Sequence, residues 1–166
     1  MSKEQIILLI INGITLAGLI LLTPRSRLRE AAVVYTFKQS ITWVLGLLIV
    51  EYHLIEYPAR EFIIANRTSF SFEFFIYPAI CVIYNLHFPA DRGWGRKWAW
   101  ILVFPTVMTL FEVALEKYTD LIEYVSWTWY WTWLSLLATF FVSRGYYLWF
   151  RKGVSGPAVE HRGGKD

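Results

Sequence analysis

A single cysteine, Cys81, stands among 166 residues, which excludes an intrachain disulfide and any metal motif built on cysteines. Charge is scarce as well: only 17% of residues are charged, against about a quarter in soluble domains. There is no Gly-rich phosphate loop, no zincin H-E-x-x-H pair and no Ser nucleophile elbow, so the commonest phosphoryl-transfer, metalloprotease and hydrolase chemistries have no footing. Linkers, repeats and low-complexity tracts are absent too, and one domain is expected. The net charge of +3 is spread between apolar segments rather than clustered with base-stacking aromatics, which sets nucleic acid aside as a partner.

What the chain has in abundance is apolar and aromatic. With 56% hydrophobic and 19% aromatic residues, in runs too long for a soluble core of this size, it reads as an all-α integral membrane bundle. Five transmembrane helices are expected, at about 6–22, 33–57, 71–88, 98–118 and 128–150, with a polar cytoplasmic tail over 151–166. The first run, "IILLIINGITLAGLILL", carries no charge and lacks the flanks of a signal peptide. Pro58 is expected to end the second span, and Ser71 to N-cap the third with Glu73 in its first turn. Pro105 falls inside the fourth, whose helical pattern runs on towards Tyr124.

Five spans put the termini on opposite sides. Ten basic residues, from Arg25 to Lys165, fall in one alternating set of connections and four, Lys3, Arg60, Arg67 and Lys117, in the other. The positive-inside rule therefore predicts the N-terminus outside and the C-terminus inside. Lys38 and Arg144 lie within spans near the inner face and are expected to snorkel there. "SWTWYWTWL" alternates Trp with a period of two, but the apolar stretch after it does not, so an aromatic belt at the outer end of the fifth helix is expected. An aromatic cage is the competing reading of those tryptophans. His87 reads as an interfacial hydrogen-bonding residue rather than a haem ligand.

With this topology Glu51, His53, Glu56, Glu61, Glu73, Glu112, Glu116, Asp120 and Glu123 all crowd the outer side. At about 100° per residue, Glu112, Glu116 and Glu123 share one helical stripe, and His53 and Glu56 face together while Glu51 points elsewhere. Carboxylates near hydrocarbon must pair, hydrogen-bond, meet water or take a proton. The candidate ligand or ion-binding residues are thus Glu51, His53, Glu56, Glu112 and Glu116, with Arg60, Arg67 and Lys117 as local basic partners. His53 and Glu56 with Glu112 and Glu116 loosely resemble a carboxylate-bridged metal site in a bundle, although no second His accompanies them. No cofactor follows from the residues.

Five spans and nine Trp together resemble the tryptophan-rich sensory and translocator proteins, a likeness that implies a porphyrin or sterol ligand, but that family's Pro-Pro and Asn-Trp motifs are missing. The runs "EYHLIEYPAREF", "TSFSFEFFIYPAICVIYNLHFP" and "LEKYTDLIEYVSWTWYWTW" resemble an uncharacterised family of small multi-pass membrane proteins of spore-forming Gram-positive bacteria. That resemblance implies an integral protein of a bacterial cell or spore membrane and transfers no particular activity. Three functions stand open on these grounds. The first is an outward-facing acidic pocket formed by spans two, three and four, binding or conducting a cation or small polar solute; the others are a structural or partner-binding subunit and a membrane-embedded enzyme or binder acting on a lipid, isoprenoid or porphyrin-like ligand. The lipid bilayer is the expected partner, and a bundle this small would readily associate with further copies.

Overall fold

The computed structural model describes residues 2–154 and is all-helical apart from two short strands. The order is α1 (Lys3–Leu22), a 3-10 turn at Arg25–Arg27, α2 (Leu28–Glu51), β1 (Ile55–Glu56), a π-helical segment Ser71–Ile76 running into α3 (Tyr77–Leu86), α4 (Trp94–Tyr118), β2 (Glu123–Tyr124) and α5 (Trp129–Val154). Among the described residues three helices are long and apolar enough to cross a membrane: Lys3–Leu22, Arg25–Glu51 and Trp94–Tyr118. The apolar Ser71–Leu86 is shorter. Beyond Val154 the tail lies outside the described residues.

Consecutive helices alternate in direction, as contacts at the two ends of the bundle record. At one end His87 Nε2 bonds the Leu22 carbonyl and Arg27 donates to the Leu86 carbonyl, to Glu30 and to the Tyr147 hydroxyl. At the other end Lys3 Nζ donates to the Tyr118 carbonyl, and β1 pairs antiparallel with β2, Ile55 opposite Tyr124. Arg60 organises the long connection there by donating to the carbonyls of Tyr57, Asn66 and Ile63.

Several boundaries differ from the sequence expectation, each for a local reason. The second helix stops at Glu51, not at Tyr57 before Pro58. The N–H of His53 bonds the Val50 carbonyl, the N–H of Leu54 bonds the Ile49 carbonyl, and His53 takes a left-handed φ of 52°. That is a Schellman cap with His in the place usually held by Gly, and the following residues leave the helix to form β1. Ser71 does not cap the third helix with its side chain; its hydroxyl accepts from Asn12 Nδ2, and its N–H is held by the Glu61 carboxylate. The fourth helix ends at Tyr118, because Thr119 is extended and its hydroxyl bonds the Leu115 carbonyl, so Glu123 belongs to β2 rather than to the stripe of Glu112 and Glu116. Trp127 precedes α5 instead of lying on it.

The π-helical segment has a readable cause. Pro78 has no N–H to give to the turn before it, and the carbonyls of Glu73 and Phe74 in that turn accept hydroxyls from α2 instead, Thr42 at 2.8 Å and Tyr35 at 2.6 Å. The inward stripe of α2 is Ala31, Val34, Lys38, Thr42, Gly46 and Val50, spaced three or four residues apart. Two apolar clusters flank its middle, one around Val34, Val82, Tyr84 and Phe140, the other around Val50, Ile55, Phe72 and Leu121. Between them the stripe is polar, and there a cavity opens.

Candidate functional site

A cavity of about 200 Å³ lies among α2, the π-helical segment, α3, α4 and α5, roofed by Leu54, Ile55, Tyr57 and Trp127 of the connections. Its apolar wall comes from residues such as Leu45, Ile49 and Leu136, and it meets the molecular surface beside Leu45, Leu48 and Tyr52, which are exposed. Three acidic or basic side chains line it: Lys38, Glu73 and Glu112, at 0%, 2% and 7% exposure. Hydroxyls of Thr42 and of Thr132, Ser135 and Thr139 complete its polar surface, the last three following the helical spacing of α5.

The two carboxylates are held in opposite ways. Glu112 is enclosed by donors: Tyr124 and Thr132 give hydrogen bonds to Oε1 and Tyr77 to Oε2, each at 2.8 Å, while Trp127 Nε1 donates to Thr132 behind them. A carboxylate accepting three hydroxyls from α3, α5 and the β2 segment is a tie between elements. Glu73, by contrast, presses its carboxyl against the backbone of α2 at Gly46, where a Cβ would stand 1.8 Å from its Oε1. Its Oε2 is sealed from solvent and has no hydrogen-bond partner among the described residues. Burial, and then the neighbouring Glu73 and Glu112 carboxylates, push the Tyr57 phenol well above its usual range, so it remains a neutral group beside both acids.

Lys38 closes the opposite end. Its amine donates to Thr139 Oγ1 and sits over the Phe140 ring, 5.0 Å from the centroid, with no acidic partner among the described residues. It does not snorkel to the inner face as the sequence suggested, because its place in the stripe of α2 points it into the bundle. Arg144 is half-buried, bonded to the Asn85 carbonyl and stacked on Phe88.

No family, relative or solved structure matches this chain. The site is therefore read from its own chemistry.

Of the five residues singled out from the sequence, the structure brings only Glu112 to this cavity. Glu51 is exposed at the last turn of α2, and Glu116 is half-buried on α4 away from the cavity lining. His53 and Glu56 pair at 4.0 Å, both exposed, in a separate depression with Arg60 and Arg67. The loosely drawn metal set is thus dispersed, and no group of three or more metal-ligating side chains occurs among the described residues. Nor do Arg60 and Lys117 pair with the acids: the first bonds loop carbonyls and the second lies over Tyr118. Sequence reasoning missed Lys38 and Glu73 as binding groups. The signal was available in the four-residue spacing of Lys38, Thr42 and Gly46, a helix face that combines a charge, a hydroxyl and a gap.

Proposed function

We propose that this chain is an integral membrane protein that binds a small organic cation in its interior cavity, with Glu73 as the group that receives the positive charge. The observation that carries the reading is the buried Glu73 carboxyl lodged on Gly46, with no basic partner among the described residues, in a chamber with an apolar wall. A buried carboxylate without a charged partner is costly, and a cation entering the cavity supplies one. A bare metal ion suits the site poorly, since hard cations want six or more oxygen ligands and Glu112 has already committed three of its lone-pair positions to hydroxyls. An ammonium with a short apolar body matches both Glu73 and the Leu45, Ile49 and Leu136 wall.

The membrane setting has its own support. Three helices have the length and composition to span, and α5, at 26 residues, is about 39 Å long, enough to cross as well. Within the described residues Arg25, Arg27, Arg29, Arg92, Arg96, Lys97, Arg151 and Lys152 gather at the end where α1 finishes and α2 begins. We take that end as cytoplasmic and read five spans, with the N-terminus outside and the cavity in the outer half. A bacterial cell or spore membrane is the setting that the family resemblance suggests.

The test is calorimetric titration of butylamine into the full chain in lipid nanodiscs, with unloaded nanodiscs as reference. Wild type and Glu51→Gln are expected to bind alike, and Glu73→Gln to lose binding by tenfold or more, about the loss expected for one charge-assisted hydrogen bond. Equal binding by wild type and Glu73→Gln refutes the reading.

A further inference from the structure

Lys38 and Glu73 line the same cavity and each is nine-tenths buried or more, yet neither has a charged partner among the described residues. Two rulers measure how far apart the amine and acid ends lie. Along α2, Lys38 and the Gly46 level where the Glu73 carboxyl rests are eight residues apart, about 12 Å of helix rise. Along α5, Thr139, which holds the amine, and Thr132, which holds the other acid of the cavity, Glu112, are seven apart, about 10 Å of rise. By these backbone levels the amine and the Glu73 carboxyl lie toward opposite ends of one chamber, and no ion pair joins them among the described residues.

The geometry points to a zwitterion as the cavity's ligand: a linear ω-amino acid whose ammonium meets Glu73 and whose carboxylate meets Lys38. The inference rests on the cation-binding reading above and adds the acidic group at the far end. Charge-assisted hydrogen bonds of about 2.8 Å at each end leave roughly 5–7 Å between the charged groups of the ligand. A cavity of about 150 Å³ holds a benzene ring, so 200 Å³ has room for roughly eight non-hydrogen atoms. δ-Aminovalerate has that many atoms and that length when extended. Its methylenes would lie along Leu45, Ile49 and Leu136, and its carboxylate would accept from the Lys38 amine.

The experiment titrates full-length protein in nanodiscs with δ-aminovalerate, with butylamine, which is the same molecule without its carboxylate, and with a chain-length series from β-alanine to ω-aminooctanoate. Expected is roughly tenfold or greater preference for δ-aminovalerate over butylamine, an affinity optimum at five or six carbons, and loss of the preference in Lys38→Met with amine binding kept. Equal affinity for δ-aminovalerate and butylamine, both dependent on Glu73, overturns the zwitterion and leaves the cation site standing. An affinity that climbs steadily with carbon number overturns it too, and this arm uses wild-type protein alone, so it does not depend on a variant folding. Binding of neither compound overturns both readings.

Discussion

Gly46 offers the sharpest perturbation, because the structure states what an added methyl meets. A Cβ there stands 1.8 Å from Glu73 Oε1, 2.2 Å from its Cδ and 2.3 Å from Oε2, whereas ordinary contact begins near 3.4 Å. The carboxyl must withdraw by about 1.6 Å, the difference of the first and last of those distances. Overpacking a filled site costs typically 1–3 kcal/mol, while alanine is favoured over glycine inside a helix by about 0.8–1 kcal/mol. In the wild-type background Gly46→Ala should therefore be destabilising by about 0–2 kcal/mol. In a Glu73→Ala background the obstruction is gone and only the helix term remains, so the same change should stabilise by up to about 1 kcal/mol. The coupling between the two sites is then about 1–3 kcal/mol. Reversible unfolding in mixed micelles of rising SDS content, followed by circular dichroism, measures it. If Gly46→Ala has the same sign and size in both backgrounds, the Glu73 carboxyl does not rest on α2 and the reasoning fails.

The other expectations concern residues whose roles the structure separates. Glu112→Ala removes the acceptor of three hydroxyls and should cost about 3–5 kcal/mol in the same unfolding assay, with most of the Tyr77→Phe effect vanishing in its presence. His53→Gly should stabilise by up to about 1 kcal/mol, because the position is left-handed, whereas Glu51→Gln should change stability by no more than about 0.5 kcal/mol.

The helices were legible in the sequence because long apolar runs and their prolines announce themselves, and all five appear near their expected places. Their ends were less so. The end of α2 is decided by backbone hydrogen bonds at His53 and Leu54, and nothing in the residue type of a histidine announces a left-handed cap. The acidic side was visible as a composition, but which acid faces inward was not. Glu61 is spent on the Ser71 N–H, Glu112 on three hydroxyls, and His53 with Glu56 on each other, all through partners distant in sequence or set by irregular turns. Glu73 was legible as a first-turn charge and as one of the outer acids but not as a binding group; its cavity role depends on Gly46 lying opposite, a tertiary pairing that periodicity along one helix does not contain. Lys38 sat in plain view, and the snorkelling expectation failed because its helix face, shared with Val34 and Thr42, is the buried one.

Labelling with a hydrophobic carbodiimide tests the central claim most directly. The reagent enters from the apolar phase and modifies a carboxyl that it can reach in a protein interior. The cavity meets the surface beside Leu45 and Leu48, Glu73 lines it with no basic partner among the described residues, and Glu112 is closed in by Tyr77, Tyr124 and Thr132. Peptide mass spectrometry on the full chain in nanodiscs should then find Glu73 modified, Glu112 spared, and the modification slowed by δ-aminovalerate or butylamine. Modification of Glu112 with Glu73 untouched would contradict the account.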